Sequence, residues 1–222
     1  NVEEVWRIYR ISFTGEAQFA DQVFALTDEQ RELAKNYASN LNLFMQDDRF
    51  AGTVNSAFAR DTTIDISGYK DPSTKNNLDL VQWAIEAESR HWGYVWGTYG
   101  SVFDSDLYAY KLEQYPDEVG GYSDFIEANW LGGRTADCVG LIKGYSWLNV
   151  ETLEVGYGTN GMPDIGADSM YYNATEKGTI GTIPEIPGLA VWHAGHIGIY
   201  IGDGMVIEAM GTRYGVVKTN LS

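Results

Sequence analysis

The chain predicts an α+β fold, with helices in its middle and an antiparallel sheet at its end. Three observations carry this. Apolar residues recur at helical spacing before residue 150. The last stretch breaks into consecutive period-two runs, Leu189–His193, His196–Ile201, Val206–Met210 and Gly215–Thr219. Gly202-Asp203-Gly204 between two of these runs has the chemistry of a tight hairpin. Helices gathered first and strands gathered last segregate into α+β rather than alternating as α/β. With 222 residues, 44% hydrophobic and 14% aromatic, the chain can bury a sizeable core.

Taken in order, residues 1–25 mix aromatics with charges and read as a short strand or helix followed by a second helical turn. Thr27 with Gln30 three residues on forms a helix start, and Leu33, Tyr37, Leu41 and Phe44 line one face of a helix to about Met45. Residues 47–76 are polar and rich in Asp, Thr, Ser and Gly; within them Ala51–Phe58 has helical character and Asp61–Tyr69 reads as an irregular linker with a short strand. The expected division is therefore a helical N-terminal extension over 1–76 and a main domain over 77–222. A helix starts near Leu78, capped by Asn77 or Asp79, and ends before Gly93. An aromatic, Gly-containing turn over Tyr94–Tyr99 follows.

The stretch 101–131 carries Phe103, Tyr108, Tyr110, Tyr115, Tyr122, Phe125 and Trp130, with helical pieces expected at Asp104–Glu113 and Ser123–Asn129. So many aromatics argue for a packed segment rather than a disordered loop. It either borders a cleft or decorates the scaffold. Gly132-Gly133 leads into a helix from Asp137 to about Asn149, and 150–183 is Gly- and Asp-rich with a helical piece over Ile165–Lys177.

Charge excludes some function classes. There are 15 basic and 31 acidic residues, a formal net charge of −16. That argues against a basic face for nucleic acid or anionic lipid. No apolar run of membrane-spanning length occurs. The chain begins at Asn1 with no export-type apolar run, which fits a trimmed or mature secreted form. A single cysteine excludes an internal disulfide and a Cys-based zinc site, and no metal or organic cofactor is expected.

That cysteine, Cys138, falls at the expected start of a helix, and one of the three histidines, His196, at the start of a strand. A helix N-terminus and an imidazolium both favour the nucleophilic thiolate. The pair is therefore a candidate nucleophile and base, against the plainer reading of a buried thiol beside a core histidine. His193 is a rival to His196, more simply read as a turn histidine. His91 reads as exposed at a helix C-terminus.

The surrounding residues carry a resemblance. Asp137-Cys138-x-Gly140-Leu141-Ile142 resembles the DCSGL(V/I) box of the NlpC/P60 cysteine peptidases. Pro187-Gly188-x-Ala190-Val191-Trp192 with His196-Ile197-Gly198-Ile199-Tyr200-Ile201-Gly202 is similar to their second box, and Gly93-Tyr94-Val95-Trp96-Gly97 to their PYVWGG segment. The resemblance spans about residues 78–222 and implies a papain-like fold and a secreted or wall-associated bacterial enzyme. Its activity would be cutting peptidoglycan stem peptides through a Cys thioester, commonly between D-Glu and a diamino acid. It makes Cys138 the nucleophile and His196 the base. Glu208 occupies the position of the third catalytic residue, twelve after the histidine, where the family often has His, Asn or Gln. A two-residue turn pairing His196–Ile201 with Val206 onward brings Glu208 beside the histidine strand.

By the same resemblance Tyr94 contacts substrate or oxyanion and Asp137 holds the substrate amine. Core packing for Tyr94 and helix capping for Asp137 are the structural readings. Arg134, close to the cysteine, can meet a substrate carboxylate or be a plain surface residue. Val139 stands where the family has Ser, and Leu189 where it has Asp. Two alternatives stay open: an amidase or transamidase using the same Cys–His pair, and a non-catalytic wall-binding module.

Overall fold

The computed structural model describes residues 60–221, together with the backbone of four short strands in the first 24 residues. The fold is mixed α+β, with five helices among the described residues. The N-terminal strands are β1 (Arg7–Arg10), β2 (Ser12–Thr14), β3 (Glu16–Gln18) and β4 (Val23–Phe24). Then come α1 (Asn77–Ser89), β5 (Tyr99–Val102), α2 (Ser105–Gln114), α3 (Ser123–Asn129), β6 (Arg134–Ala136) and α4 (Cys138–Trp147). The chain continues through β7 (Leu148–Asn149), β8 (Glu154–Val155), α5 (Ala167–Asn173) and β9 (Lys177–Gly178). It closes on β10 (Leu189–His193), β11 (His196–Gly202), β12 (Met205–Gly211) and β13 (Gly215–Asn220). No helix of the described residues is long and apolar enough to cross a membrane.

The main sheet is antiparallel in the order β1-β10-β11-β12-β13. Its last four strands match the period-two runs to within a residue or two. The first does not fit a helical N-terminal extension: β1 pairs along the free edge of β10, Arg7 opposite Trp192 and Arg10 opposite Leu189. Of the strand or helix expected at the start of residues 1–25, the strand is what forms there. The expected helices at Thr27–Met45 and Ala51–Phe58 lie outside the described residues.

The expected boundary at residue 77 also moves. α1 is capped not by Asn77 or Asp79 but by Asn76, whose side chain accepts from the Asp79 amide. Asp79 is fully buried and turned back, accepting from the amides of Lys70 and Asp71 at 2.5 and 3.0 Å. Asn77 donates to the Pro187 carbonyl at 2.7 Å. Ile64 lies in the main core, and Tyr69 meets Tyr145 edge to face at 6.2 Å. The expected linker Asp61–Tyr69 forms no strand; it and the residues after it make local turns, Asp65 accepting from Ser67 and Asp71 from Ser73. Those turns fit the segment against the domain.

Two tryptophans join α1 to the rest. Trp83 donates to the Leu141 carbonyl at 2.8 Å and packs edge to face on Trp92 at 4.8 Å. The segment 101–131 folds as expected, with α2 capped by Asp104. It encloses a core of its own, Val95, Phe103, Val119, Ile126 and Trp130. Its Trp130 reaches across to donate to the Thr212 carbonyl at 2.6 Å.

Candidate active site

The cysteine side of the site is made by a cap and by two glycines. Asp137 is the N-cap of α4, its Oδ1 accepting from the Gly140 amide at 2.6 Å. Its Oδ2 accepts from the Gly97 amide at 2.8 Å, and its own amide donates to Thr98. One residue therefore starts the helix and ties it to the 93–98 turn. α4 then lies directly on the backbone of that turn and β5. A Cβ on Gly140 would fall 1.9 Å from the Thr98 carbonyl oxygen, and one on Gly144 2.1 Å from that of Tyr99. Glycines four apart on one helix face permit this approach, a spacing the sequence reading passed over. Cys138, the first helical residue, is 7% exposed.

Tyr94 is buried beside it. Burial, with the negative charges of Cys138 and Asp137, raises the Tyr94 hydroxyl pKa and keeps it protonated. Asp137 is also buried, which raises its pKa against the pull of Lys143 and the two amides. Its oxygens are thus occupied by the backbone, as the capping reading expected. Arg134 requires correction: it does not stand free to meet a substrate carboxylate. Its Nε donates to the Thr62 carbonyl and its Nη1 to the Gly100 carbonyl, both at 2.6 Å, with the guanidinium 5.8 Å from the Trp92 ring. A planar cation with two carbonyl acceptors and an aromatic face is a structural tie.

The histidine side is made by register. His196 Nε2 lies 2.6 Å from Glu208 Oε2, each side chain 16% exposed. The Cys138 side chain lies in the surroundings of the same ring and, with Glu208, favours its cation. With Nε2 on the carboxylate, Nδ1 is the nitrogen left for the sulfur. The expected twelve-residue spacing thus brings Glu208 to the histidine, but by a route the spacing did not contain. A regular hairpin on the Asp203-Gly204 turn pairs Gly202 with Met205 and would put Ile199 opposite Glu208, turning the carboxylate to the other face. Instead a bulge makes Ile201 an extra residue, so Tyr200 faces Val206 and Ile199 faces Ile207. The shift by one puts Gly198 opposite Glu208 and His196 on the same face. Gly198 must lack a side chain there, since a Cβ would come within 2.7 Å of Val206 Cγ1 and 3.1 Å of Glu208 Cβ.

Burial works against the His196 cation, but the influence of Cys138 and the bond to Glu208 outweigh it and raise the pKa to about 10. Burial likewise opposes the Glu208 anion, and His196 with Thr219 holds its pKa below the ordinary carboxylate value. His193 pairs with His196 across the turn, ring centroids 5.1 Å apart. Burial and the neighbouring His196 charge push its pKa down to about 4. The two histidines are therefore held in opposite charge states over the physiological range.

Two residues of this side escaped the sequence reading. Thr219 donates to Glu208 Oε1 at 2.6 Å. Asp168 Oδ1 accepts from Trp192 Nε1 at 2.9 Å and from the Gly195 amide at 2.7 Å, fixing the turn between His193 and His196. Neither has a spacing signal, because each arrives from a separate element. His91 is exposed just past the end of α1, with a left-handed φ of 53°. Among the described residues no cluster of His, Cys, Asp or Glu is arranged to hold a metal ion. Comparison with protein-family models, with characterised proteins and with solved structures finds no match to this chain, so what the site does rests on its own atoms.

Proposed function

We propose that the chain is a papain-like cysteine peptidase of the NlpC/P60 type, secreted or wall-associated, that hydrolyses peptidoglycan stem peptides. The observation that carries this reading is His196 bonded to Glu208 at 2.6 Å, with Cys138 at the start of α4 bearing on the same imidazole. A carboxylate behind the ring stabilises the imidazolium, and an imidazolium against sulfur favours thiolate.

In this mechanism the Cys138 sulfur attacks the amide carbonyl. The Cys138 and Val139 amides, which precede the capped Gly140 amide and have no partner within the helix, are the donors for the developing oxyanion in this mechanism. The C–N bond breaks as His196 gives its proton to the leaving amine, leaving a Cys138 thioester. Neutral His196 then takes a proton from water as the oxygen attacks. The C–S bond breaks, the acid leaves, and the thiolate–imidazolium pair returns. Glu208 remains ionised throughout and orients the ring. The γ-linked D-Glu to diamino-acid bond is the first candidate substrate, on the resemblance alone.

The test is digestion of purified peptidoglycan with product masses, wild type against Cys138→Ala. The expected result is a released diamino-acid peptide and a disaccharide dipeptide, whose masses sum to the substrate plus one water, absent in the variant. Products carrying a transferred amine in place of water would make it a transamidase. No Cys138-dependent products from any wall type would overturn the hydrolase reading.

A further inference from the structure

The sheet continues the catalytic chain one residue further than the resemblance provides. On β13, Val217 stands opposite Glu208 and Thr219 opposite Val206, so Thr219 shares the face of Glu208 and His196. We propose that Thr219 is a positioning residue for the cysteine site, holding the Glu208 carboxylate in the orientation and charge state that keep His196 cationic. This rests on the peptidase reading for its catalytic consequence, but not for its geometry.

The argument is one of satisfaction. A neutral residue behind the histidine needs only to accept one hydrogen bond. A carboxylate in a largely buried place has two oxygens to satisfy, and an unpaired one favours protonation. Here Oε2 is taken by His196 and Oε1 by the Thr219 hydroxyl, both at 2.6 Å. The titratable groups facing Glu208 are His196 on β11, His193 on β10 and, across the ring, Cys138. His193 is held neutral, so the second oxygen receives its hydrogen bond from an uncharged hydroxyl. Thr219 also fixes the carboxylate plane, which keeps Oε2 aimed at the ring. The chain then runs Cys138, His196, Glu208, Thr219 across three adjacent strands and the start of α4.

Thr219→Val keeps shape and strand propensity but removes the donor. Two measurements read it. The pH profile of Cys138 alkylation should move its acid limb upward, lowering the rate along that limb by about threefold to tenfold. The alkaline limb of peptide turnover should move downward, because the less stabilised imidazolium loses its proton earlier. Thr219→Ser restores the hydroxyl and should return both profiles. The effect should vanish when the same substitution is made on Glu208→Gln, a non-additivity that local loosening of β13 would not produce.

An alkylation profile unchanged in folded Thr219→Val overturns the proposal. If Thr219→Val does not fold, Thr219→Ser and Thr219→Ala decide the question: a shift in the alanine variant alone supports it, equal shifts in both overturn it. Alkylation requires no wall substrate, so a shifted profile without wall cleavage would sink the peptidase reading and keep this one.

Discussion

The two sides of the site are built by different physics. The cysteine side is a matter of close approach: a helix pressed onto a backbone turn, with one capping carboxylate and two absent side chains. The histidine side is a matter of sheet register and charge: a bulge sets which face Glu208 occupies, and opposite charges then hold each other in a partly buried place. Steric sites fail abruptly when an atom is added. Charge sites fail gradually and with pH. The comparison is therefore open to attack from either side.

The largest effect is expected at Gly140. A methyl there meets the Thr98 carbonyl, which is backbone and cannot rotate away. Gly140→Ala should cost about 3 kcal/mol or more in urea unfolding, through overpacking. It should also lower Cys138 alkylation by at least about tenfold on the acid limb, where a sulfur displaced from the ring loses the imidazolium that favours thiolate. The same substitution at Gly198 meets side-chain atoms of Val206 and Glu208 instead. It should cost less in stability but change the shape of the pH profile. Equal losses of stability from both glycines would erase the distinction between the two sides.

This distinction also governs what could be read from the chain. The cysteine side was largely legible, because cap, thiol and glycine lie within four consecutive residues, 137–140, and local geometry follows from local sequence. Glu208 was found by its distance from His196, yet the bulge that makes the distance work carries no mark in the sequence beyond Gly202-Asp203-Gly204. Asp168 and Thr219 were not found, since non-local pairing alone brings them in. Arg134 meets the same limit. Nearness to Cys138 in sequence says nothing about the carbonyls of Thr62 and Gly100, which only the fold places around it. β1 likewise became a strand through an edge that β10 offers it.

A middle-sized effect tests the charge side through stability rather than rate. His196 has a folded pKa raised to about 10 from an ordinary 6.5. Its contribution to stability is therefore full below the lower value and is lost as pH rises through the upper one. Glu208 has a lowered pKa, so its contribution is present above the ordinary carboxylate range and is lost as pH falls through its folded value. Unfolding free energy should then decline between about pH 6.5 and 10, and fall again in acid. Glu208→Gln should flatten the alkaline decline, which chemical denaturation at several pH values will show. A variant with the wild-type slope would mean that the carboxylate does not hold the cation.

The smallest effect on activity is expected at Arg134. It immediately precedes the cysteine side in sequence, and the geometry gives it no catalytic part. Arg134→Met keeps much of the apolar stem against Trp92 while removing the donors to Thr62 and Gly100. Two partly buried carbonyls lose their partners, so the stability loss should be about 1–3 kcal/mol. KM for a stem-peptide substrate should stay within about twofold, because uniform substrate binding is lost only where a contact to substrate is removed. A large rise in KM with kcat unchanged, in a variant still folded, would mean that the guanidinium leaves its carbonyls when substrate arrives. The cysteine side would then extend to β6, and its description as packing alone would be too narrow.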